Sequence, residues 1–448
     1  MAGLDTDTIA AVATARGNGP VGIIRLSGPD ALSIALTLSE SELTPRYAHY
    51  RCFLDNEGQT IDSGLAIYFP GPNSFTGEDV VEIQGHGGHV VLQTLLSRCI
   101  DLGARQARPG EFSERSFING KIDLLQAEAI ADLIAAETET AAKLATASLS
   151  GVFSSLVDEL SQQLNELRAL TEASIDFPEE DIDVLERHFV ISRLRECNAT
   201  IERLLNDVAA SQKKTQHYSA VLIGAPNAGK SSLLNALARD DIAIVTDVPG
   251  TTRDTLKQSI KAGSVVLDLV DTAGIRQSDD VVEQEGVKRA KSSTQSADLV
   301  LHIIDDNESQ DINTEWLPDS AIRIHVKNKI DISGRQAGKL DTQDDGVCVA
   351  VSAKVGDGIE ELIKSIEEAL LVQGASDSQF SARQRHVDAL NEANRALSES
   401  LLAFEHHTAA ELLAEDLKRA QTAIDSLTGQ VASDDILGLI FSSFCIGK

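Results

Sequence analysis

The sequence predicts a multidomain protein of mixed class, α/β plus all-α, with an α/β domain inserted into a helical domain behind an α+β N-terminal domain. Three patterns support this prediction. Residues 1–118 carry short β-like runs separated by Gly and Pro. Apolar residues recur at helical spacing in residues 119–213 and again in residues 374–448. Between them, residues 214–373 alternate strands with helices, as in a parallel sheet.

The composition is that of a globular chain with reduced thiols. Of 448 residues, 42% are hydrophobic, and no apolar run reaches the roughly 18 residues of a membrane span. The five cysteines are odd in number and have no paired spacing, which favours free thiols over a disulfide framework. The start, Met1 to Thr8, lacks a basic segment followed by an apolar one, so we expect a cytoplasmic protein.

The net charge limits how this chain could bind nucleic acid. Its value is 39 − 69 = −30, which argues against a large basic surface. If RNA is a ligand, either a partner holds most of it or the basic residues are focused in one small patch. The alternative is that the acidic charge only keeps the chain in solution.

The N-terminal segment is predicted to be a compact α+β domain. Strands are expected at Val21–Leu26, Leu65–Phe69 and Val80–Ile83, because these runs are apolar or alternate in polarity. A helix is expected from His89 to about Ile100. Together these elements form a sheet with a helix between strands.

The two helical stretches are expected to pack against each other as one domain. In the first stretch, five leucines step by three and four residues, which predicts the core of a helix bundle. They are Leu156, Leu160, Leu164, Leu167 and Leu170. A polar, Gly- and Ser-containing linker at Gln373–Gln379 separates the inserted domain from the second stretch.

A phosphate-binding loop opens the inserted domain. The strand Val221–Ile223 runs into Gly224-Ala225-Pro226-Asn227-Ala228-Gly229-Lys230-Ser231, which fits G-x-x-x-x-G-K-S/T, and a helix is expected at Ser232–Ala238. Lys230 would reach the β- and γ-phosphates, and the Ser231 hydroxyl would bind Mg²⁺. The predicted phosphate-binding residues are Asn227, Ala228, Gly229, Lys230, Ser231 and Ser232.

Two further motifs predict that the base is guanine. The strand Ile322–Val326 leads to Asn328-Lys329-Ile330-Asp331, whose carboxylate can accept from both N1–H and the exocyclic amine of guanine. Adenine would leave these buried groups unpaired. The strand Val347–Val351 precedes Ser352-Ala353-Lys354, which resembles the loop that contacts the guanine oxygen.

Two segments are predicted to respond to the γ-phosphate. After the strand Val265–Val270, Asp271 would hold Mg²⁺ through water and the Gly274 N–H would contact the γ-phosphate. Thr252 would be the second Mg²⁺ ligand, beside Ser231. The nucleotide-binding residues expected in these two segments are Thr246, Asp247, Val248, Pro249, Gly250, Thr251, Thr252, Asp271, Thr272, Ala273 and Gly274. Four motifs in this order predict a GTP-hydrolysing enzyme of the Ras-like P-loop class that binds GTP and GDP.

Strings outside the inserted domain resemble the MnmE (TrmE) family of tRNA-modification GTPases. They are Gly22 to Gly28, Phe69 to Gly88, Arg108 to Lys121, and the end Phe444-Cys445-Ile446-Gly447-Lys448. Together with Gly250-Thr251-Thr252-Arg253-Asp254, which resembles the TrmE–Era–EngA branch, the match spans essentially the whole chain. The family's usual Gly-Arg-Pro-Asn opening of the P-loop reads Gly224-Ala225-Pro226-Asn227 here.

The resemblance implies a defined chemistry. Members dimerise through an N-terminal domain that binds 5,10-methylene- or 5-formyl-tetrahydrofolate. With MnmG (GidA), a partner that uses FAD and NADH, they form a heterotetramer and add an aminomethyl or carboxymethylaminomethyl group to carbon 5 of a tRNA wobble uridine. The folate residues implied here are Arg25, Glu82, Lys121 and Lys448.

Hydrolysis needs a device that the motifs do not supply, since Ile275 stands where Ras-like enzymes have a water-orienting Gln. An arginine finger is worth roughly 10³–10⁵ in rate, and the hypothesis is that K⁺ supplies this charge. The expected K⁺ ligands are Asn227, Thr246, Val248 and Thr251. The family match points to Glu283 as the residue that orients water, helped by Arg276, while Lys230 is the catalytic residue at the phosphates; Glu283 could also be a solvated acid at a helix start.

A second class of function stays open on the residues alone. GTP could control a switch in ribosome assembly or signalling rather than a modification reaction. Era- and EngA-like switches carry basic RNA-binding modules, whereas this chain has a net charge of −30 and a folate-domain-like N-terminus. These features favour the modification enzyme.

Overall fold

The structure is a computed structural model. It describes residues 7–15, 17–176, 184–225, 227–239, 258–270, 297–307, 321–340, 346–371, 379–406, 410–431, 434–442, 444 and 447. The chain forms two compact units. The first unit contains residues 1–134, 146–203 and 388–448, and the second contains residues 135–145 and 204–387.

A six-stranded sheet organises the first unit. Its strands, in chain order, are β1 (Ile9–Val12), β2 (Gly19–Ser27), β3 (His49–Leu54), β4 (Thr60–Phe69), β5 (Val80–Gly87) and β6 (Arg105–Gln106). They lie in the order β3-β4-β5-β2-β1-β6, and every neighbouring pair is antiparallel except β1 with β6. The strands and the helix predicted for this segment are confirmed, with longer bounds.

Helices cover the two faces of this sheet unequally. Alternate apolar residues such as Leu26 and Ile83 point to one face and pack against α1 (Ala31–Ser39) and α2 (His89–Asp101). On the opposite face, α3 (Glu111–Ile118) places Phe112 against Ile9 and Ala11 of β1. This second face also carries Arg25 of β2 and Glu82 of β5, which are register partners.

Long helices complete the first unit and extend into the second. Those that precede the second sheet are α4 (Leu124–Ala135), α5 (Glu139–Leu149), α6 (Val152–Asp176) and α7 (Val184–Thr215). The prediction that all five leucines of α6 form a core is wrong for Leu156 and Leu170, which are 36% and 49% exposed. The buried stripe instead runs through Phe153, Val157, Leu160, Leu164 and Leu167, and the two exposed leucines lie one residue off it.

The second unit is built on a seven-stranded sheet. Its strands are β7 (His217–Gly224), β8 (Gln258–Ala262), β9 (Val265–Val270), β10 (Leu299–Asp305), β11 (Ile322–Asn328), β12 (Gly338–Leu340) and β13 (Val347–Ala350). The order is β12-β13-β11-β10-β7-β9-β8, with only the edge strands β8 and β12 antiparallel to their neighbours. The helices are α8 (Lys230–Arg239), α9 (Ile330–Ser333) and α10 (Ile359–Leu371).

The parallel strands bring the motif loops together. Because β7, β10, β11 and β13 run in the same direction, their carboxyl ends lie along one edge of the sheet. Gly224, Asp305, Asn328 and Ala350 are the last residues of these strands. The loops that follow them therefore converge on one site.

Late helices return to the first unit. They are α11 (Gln384–His406), α12 (Ala410–Thr428) and α13 (Asp434–Ser442). Helix α12 packs along α6, where Asp425 accepts a 2.8 Å hydrogen bond from the Ser161 hydroxyl. Within the second unit, Ser211 of α7 donates a 2.7 Å hydrogen bond to the Phe380 carbonyl, so the segments that enter and leave it are tied together. None of the described helices is both long and apolar enough to cross a membrane.

Candidate functional site

The loop between β7 and α8 has the backbone of a phosphate cradle. Asn227 and Gly229 adopt positive φ angles of 63° and 98°. A Cβ added at Gly229 would lie 2.1 Å from the Asn328 side-chain nitrogen, so the second motif glycine is required by space as well as by conformation. The amino end of α8 begins at Lys230, where free backbone N–H groups and the helix dipole favour an anion.

Lys230 points back into this loop. Its ammonium group donates hydrogen bonds to the carbonyls of Gly224 at 2.7 Å and Ala225 at 2.9 Å. Burial lowers the pKa of Lys230, because removing the ammonium from water disfavours its charged form. A phosphate beside it would offset that cost. Ser231 and Ser232 are exposed at the start of the helix, where a hydroxyl can reach a metal ion.

Asn328 connects the three motif loops. Its amide nitrogen donates to the Ala228 carbonyl at 2.9 Å, and its amide oxygen accepts from the Ala353 N–H at 3.0 Å. The side chain is only 2% exposed. The amide is thus used within the protein, and it holds the phosphate loop and the Ser352–Lys354 loop in register.

Asp331 is left to face a base. It is exposed, and among the described residues only its Oδ1 accepts a hydrogen bond, at 2.7 Å from the buried Ser352 hydroxyl. Since a carboxylate has about four lone-pair sites, it can still accept from two donors of guanine. Ser352 therefore positions Asp331. Lys354, two residues after Ser352, is exposed.

Lys329 supports the same edge of the sheet. It has a φ angle of 67°, in the left-handed region, and its ammonium lies 2.7 Å from the Asp305 carboxylate at the end of β10. This hydrogen bond, with those from Asn307, lowers the pKa of Asp305. The ion pair fixes the loop that carries Asp331.

Other predicted site residues lie outside the described residues. They are Thr246, Asp247, Val248, Pro249, Gly250, Thr251, Thr252, Asp271, Thr272, Ala273, Gly274, Arg276, Glu283 and Lys448. In the described ranges, no group of three or more His, Cys, Asp or Glu side chains forms a metal site. A Mg²⁺ ion here would need Ser231 together with phosphate oxygens and waters, the usual arrangement for this small, strongly hydrated cation.

A second group of polar residues lies on the sheet of the first unit. Arg25 of β2 and Glu82 of β5 are register partners, and the guanidinium Nε and Nη2 contact Glu82 Oε1 at 3.1 and 2.9 Å. The Arg25 guanidinium carbon lies 5.6 Å from the centre of the Phe75 ring and 5.9 Å from that of Phe112. Both side chains of the pair are about one-fifth exposed, and Glu82 Oε2 accepts neither of these hydrogen bonds.

The end of the chain reaches this pair. Arg25 Nη1 lies 3.5 Å from the Gly447 carbonyl, and a Cβ at Gly447 would lie 2.2 Å from the Val12 carbonyl. Lys121 is exposed, and its stem lies beside Gly77, in the same loop as Phe75. Phe75 and Phe112 were not predicted as site residues, although both stand in strings that carry the family resemblance.

Family comparisons match both parts of the chain. Residues 8–121 match a family described as the GTP-binding protein TrmE N-terminus, and residues 124–445 match one described as the MnmE helical domain. Among solved structures, one of Era from Aquifex aeolicus bound to GDP and AlF₄⁻ is 24% identical, over 40% of this chain and 67% of that chain. Its TM-score of 0.27 is too low to support an argument.

Curated relatives match over nearly the full length. The chain is 48% identical to the tRNA modification GTPase MnmE of Pseudomonas aeruginosa strain UCBPP-PA14, over 99% of both chains. It is 50% identical to the protein of that name from Ectopseudomonas mendocina, also over 99% of both. For Chromobacterium violaceum the identity is 48% over 98% of both.

Proposed function

Because the chain belongs to the MnmE family of tRNA-modification GTPases, we propose that its GTP hydrolysis drives modification of a wobble uridine in tRNA. One observation carries the nucleotide part of this proposal. Asn328 joins the phosphate loop to the base loop and leaves the Asp331 carboxylate free to accept from guanine. The same frame supports binding of GDP after hydrolysis.

Hydrolysis is proposed to use two cations. Mg²⁺ would be held by Ser231 and Thr252 and would neutralise charge on the β- and γ-phosphates. K⁺ would be held by Asn227 with oxygens of Thr246, Val248 and Thr251, next to the phosphates. The exposed Asn227 in its left-handed conformation supports this, because its side chain lies at the mouth of the loop. Glu283 and Arg276 are proposed to orient water, and Lys230 to bind the γ-phosphate.

The N-terminal domain is proposed to hold the one-carbon donor, 5,10-methylene- or 5-formyl-tetrahydrofolate. The Arg25–Glu82 pair, flanked by two aromatic rings, offers a carboxylate oxygen for the donor edge of a pterin. Lys121 and Lys448 would bind the anionic glutamate tail. The approach of Gly447 to Arg25 supports this role for the C-terminal end.

A homodimer is proposed to form through the same domain. On the polar face of the sheet, Ile23, Leu65 and Ile67 lie in adjacent rows of β2 and β4 and remain partly exposed. Val21 in β2 is 56% exposed. Partly exposed apolar side chains of this kind would be covered by a second copy of the chain.

The remaining partners follow from the chemistry. Building an aminomethyl or carboxymethylaminomethyl group from a folate one-carbon unit requires redox steps, and none of the GTPase motifs supplies a redox group. We propose that MnmG (GidA), with FAD, supplies it in a heterotetramer. A tRNA is the substrate that both proteins act on.

Mass spectrometry of wobble uridines would test the proposal. A strain that lacks this gene should accumulate uridine without the carbon-5 group, and the wild-type gene should restore the modification. An Asp331→Ala gene should restore it poorly. Fully modified tRNA in the deletion strain would instead favour the alternative, a switch in ribosome assembly or signalling.

A further inference from the structure

A short basic and aromatic segment stands out in this acidic chain. Residues 46–51 read Arg-Tyr-Ala-His-Tyr-Arg, with two arginines, a histidine and two of the four tyrosines of a protein with net charge −30. They run into and along β3, which lies at the edge of the six-stranded sheet. We call this segment the β3 edge. Among the described strands, β3 pairs with β4 alone, so its other side is open.

The β3 edge presents its aromatic rings to solvent. Tyr47 is 63% exposed and Tyr50 is 67% exposed, which is high for such large apolar rings. Tyr47 contacts the His49 ring edge-on, with 4.8 Å between ring centres. The Tyr50 hydroxyl lies 3.0 Å from Ser63 Oγ on β4. These contacts fix both rings while leaving them open for stacking.

The positive charges of the β3 edge are not neutralised by carboxylates in the described part of the chain. Arg46 donates to the Asn73 carbonyl and lies over the Phe69 ring at 6.0 Å. Arg51 donates to the carbonyls of Tyr50 and Glu42 at 3.0 and 3.2 Å. Backbone carbonyls fix the orientation of a guanidinium, but they do not neutralise its charge.

The acidic residues that flank the β3 edge in the chain are Glu42 and Asp55. Asp55 follows the end of β3 and accepts the N–H groups of Glu57 and Gln59 within its own turn. Glu42 contributes its backbone carbonyl to Arg51. Three other arginines of this unit, Arg105, Arg108 and Arg115, are instead paired with Asp or Glu. The β3 edge therefore carries positive charge that an external anion can use.

We propose that the β3 edge binds the tRNA substrate, with Arg46 and Arg51 contacting phosphates and Tyr47 and Tyr50 stacking on unpaired bases. Exposed aromatic rings beside arginines suit single-stranded loops of RNA, whose bases are free to stack. This inference rests on the proposed function and adds a contact of the RNA with this chain itself. It also offers a way for so acidic a protein to contact RNA, since two arginines without a partner carboxylate among the described residues lie within one six-residue segment.

A second copy of the chain is the competing occupant, because an open strand edge can pair with another strand. The charge pattern favours RNA. Two copies of β3 paired antiparallel about the middle of the strand would bring Arg51 of each copy near the other, and like charges facing each other across strands are destabilising. A polyanion meets no such cost.

Binding of unfractionated tRNA to the purified full chain tests the inference. We expect Arg46→Gln and Tyr47→Ala to weaken binding about five-fold or more each, and Tyr47→Phe to restore it. Arg46→Gln should also lower the slope of log affinity against log salt by about 1. The matched controls lie on helices of the same unit. Arg203→Gln changes an exposed arginine that forms no ion pair with a described residue, and Leu402→Ala removes a side chain that is 61% exposed.

Two further readouts, sedimentation and heparin binding, separate the outcomes. Sedimentation should give the same oligomeric state for all variants, and loss of the dimer together with tRNA binding would assign the β3 edge to a second copy. If Tyr47→Ala weakened heparin binding as much as tRNA binding, the β3 edge would be a general anion site. Unchanged tRNA affinity in both variants would overturn the inference while leaving the proposed function intact, because wobble-uridine analysis tests that function separately.

Discussion

Asn328 donates its side-chain amide to the carbonyl of Ala228, 100 residues earlier, over 2.9 Å. This single bond joins the loop that selects the base to the loop that binds the phosphates. It runs so close to Gly229 that no side chain fits there. Nucleotide binding should depend on this contact.

Gly229→Ala should abolish binding of GTP and GDP. The added methyl group would meet the Asn328 nitrogen at 2.1 Å and would also force Ala into a φ of 98°. Gly356→Ala is the matched control, because Gly356 has a φ of 101° but open space around its Cβ position. Titration with a fluorescent GDP analogue should show loss of binding only in Gly229→Ala. Equal losses would mean that backbone strain, and not the contact with Asn328, explains the effect.

Asp331→Asn should turn preference from guanine toward xanthine nucleotides. The change gives the side chain a donor, which suits the carbonyl that xanthine carries in place of the exocyclic amine. Ser352→Ala should weaken GTP binding without changing base preference, because it removes the 2.7 Å bond that positions Asp331. Competition of GTP, XTP and ATP for the wild type and both variants would measure this. Wild-type protein that binds ATP and GTP equally would refute the assignment.

GTP hydrolysis should be faster in K⁺ than in Na⁺, because K⁺ at the proposed site beside the phosphates would supply the charge of an arginine finger. Asn227→Ala should remove the difference between the two salts, and Glu283→Ala should lower the rate in both. The test is the steady-state rate of phosphate release. Sedimentation of the GTP-bound protein would report its oligomeric state in the same salts. Equal wild-type rates in the two salts would exclude the role for K⁺.

Arg25→Met should abolish binding of 5-formyl-tetrahydrofolate, and removal of Lys448 should weaken it about ten-fold, the scale of one or two charge-assisted hydrogen bonds. Met keeps the contact with Phe75 and Phe112 but leaves Glu82 without its cation. Calorimetry on the full chain is the measurement, with GDP affinity as the control for folding. Full folate binding after truncation would remove Lys448 from the site.

Stability of the second unit should fall as pH is lowered from about 7.5 to 5. His302 of β10 is 8% exposed, its Nδ1 lies 3.2 Å from that of His325, and its Nε2 has no hydrogen-bond partner among the described residues. Burial, with the neighbouring imidazole, lowers the pKa of His302 below its usual value. In the unfolded chain His302 has the ordinary histidine pKa of about 6.5, so below that pH the unfolded chain binds more protons than the folded one. The folded state therefore loses stability as the pH falls below about 6.5 and keeps it at higher pH.

Thermal unfolding at several pH values would measure this dependence. His302→Gln should flatten the profile, whereas the same change at the exposed His188 should leave it as in the wild type. An unchanged profile in His302→Gln would assign the acid sensitivity to other groups.

The sequence predicted the nucleotide site more fully than the rest of the molecule. Contiguous motifs at the ends of apolar strands identify Lys230 and Asp331, because parallel strands must bring such ends together. The role of Asn328 as a link between loops was not predicted, since it depends on a contact between residues 100 positions apart. Helical periodicity likewise could not separate Leu156 from Leu160, because a drift of one residue decides which side chain is buried.

For the proposed folate site, the family resemblance predicted Arg25 and Glu82 but not the rings that the structure places around Arg25. Phe75 and Phe112 belong to a loop and a helix that are distant in sequence, and only the folded sheet brings them within 6 Å of Arg25. Short strands such as β1 and β6 were also missed. With four and two residues, they are too short to show a period.

The hydrogen bond from Ser211 to the Phe380 carbonyl joins the segments through which the chain enters and leaves the second unit. A ribosome makes the whole of that unit before it makes α12 and α13, on which the first unit depends through α6 and the Arg25–Gly447 contact. Domains generally fold as they are completed during synthesis. The nucleotide-binding unit should therefore fold first, although most of its residues lie in the middle of the chain. The N-terminal half would wait for the last residues of the chain, so a truncated polypeptide could bind GTP before it could bind folate.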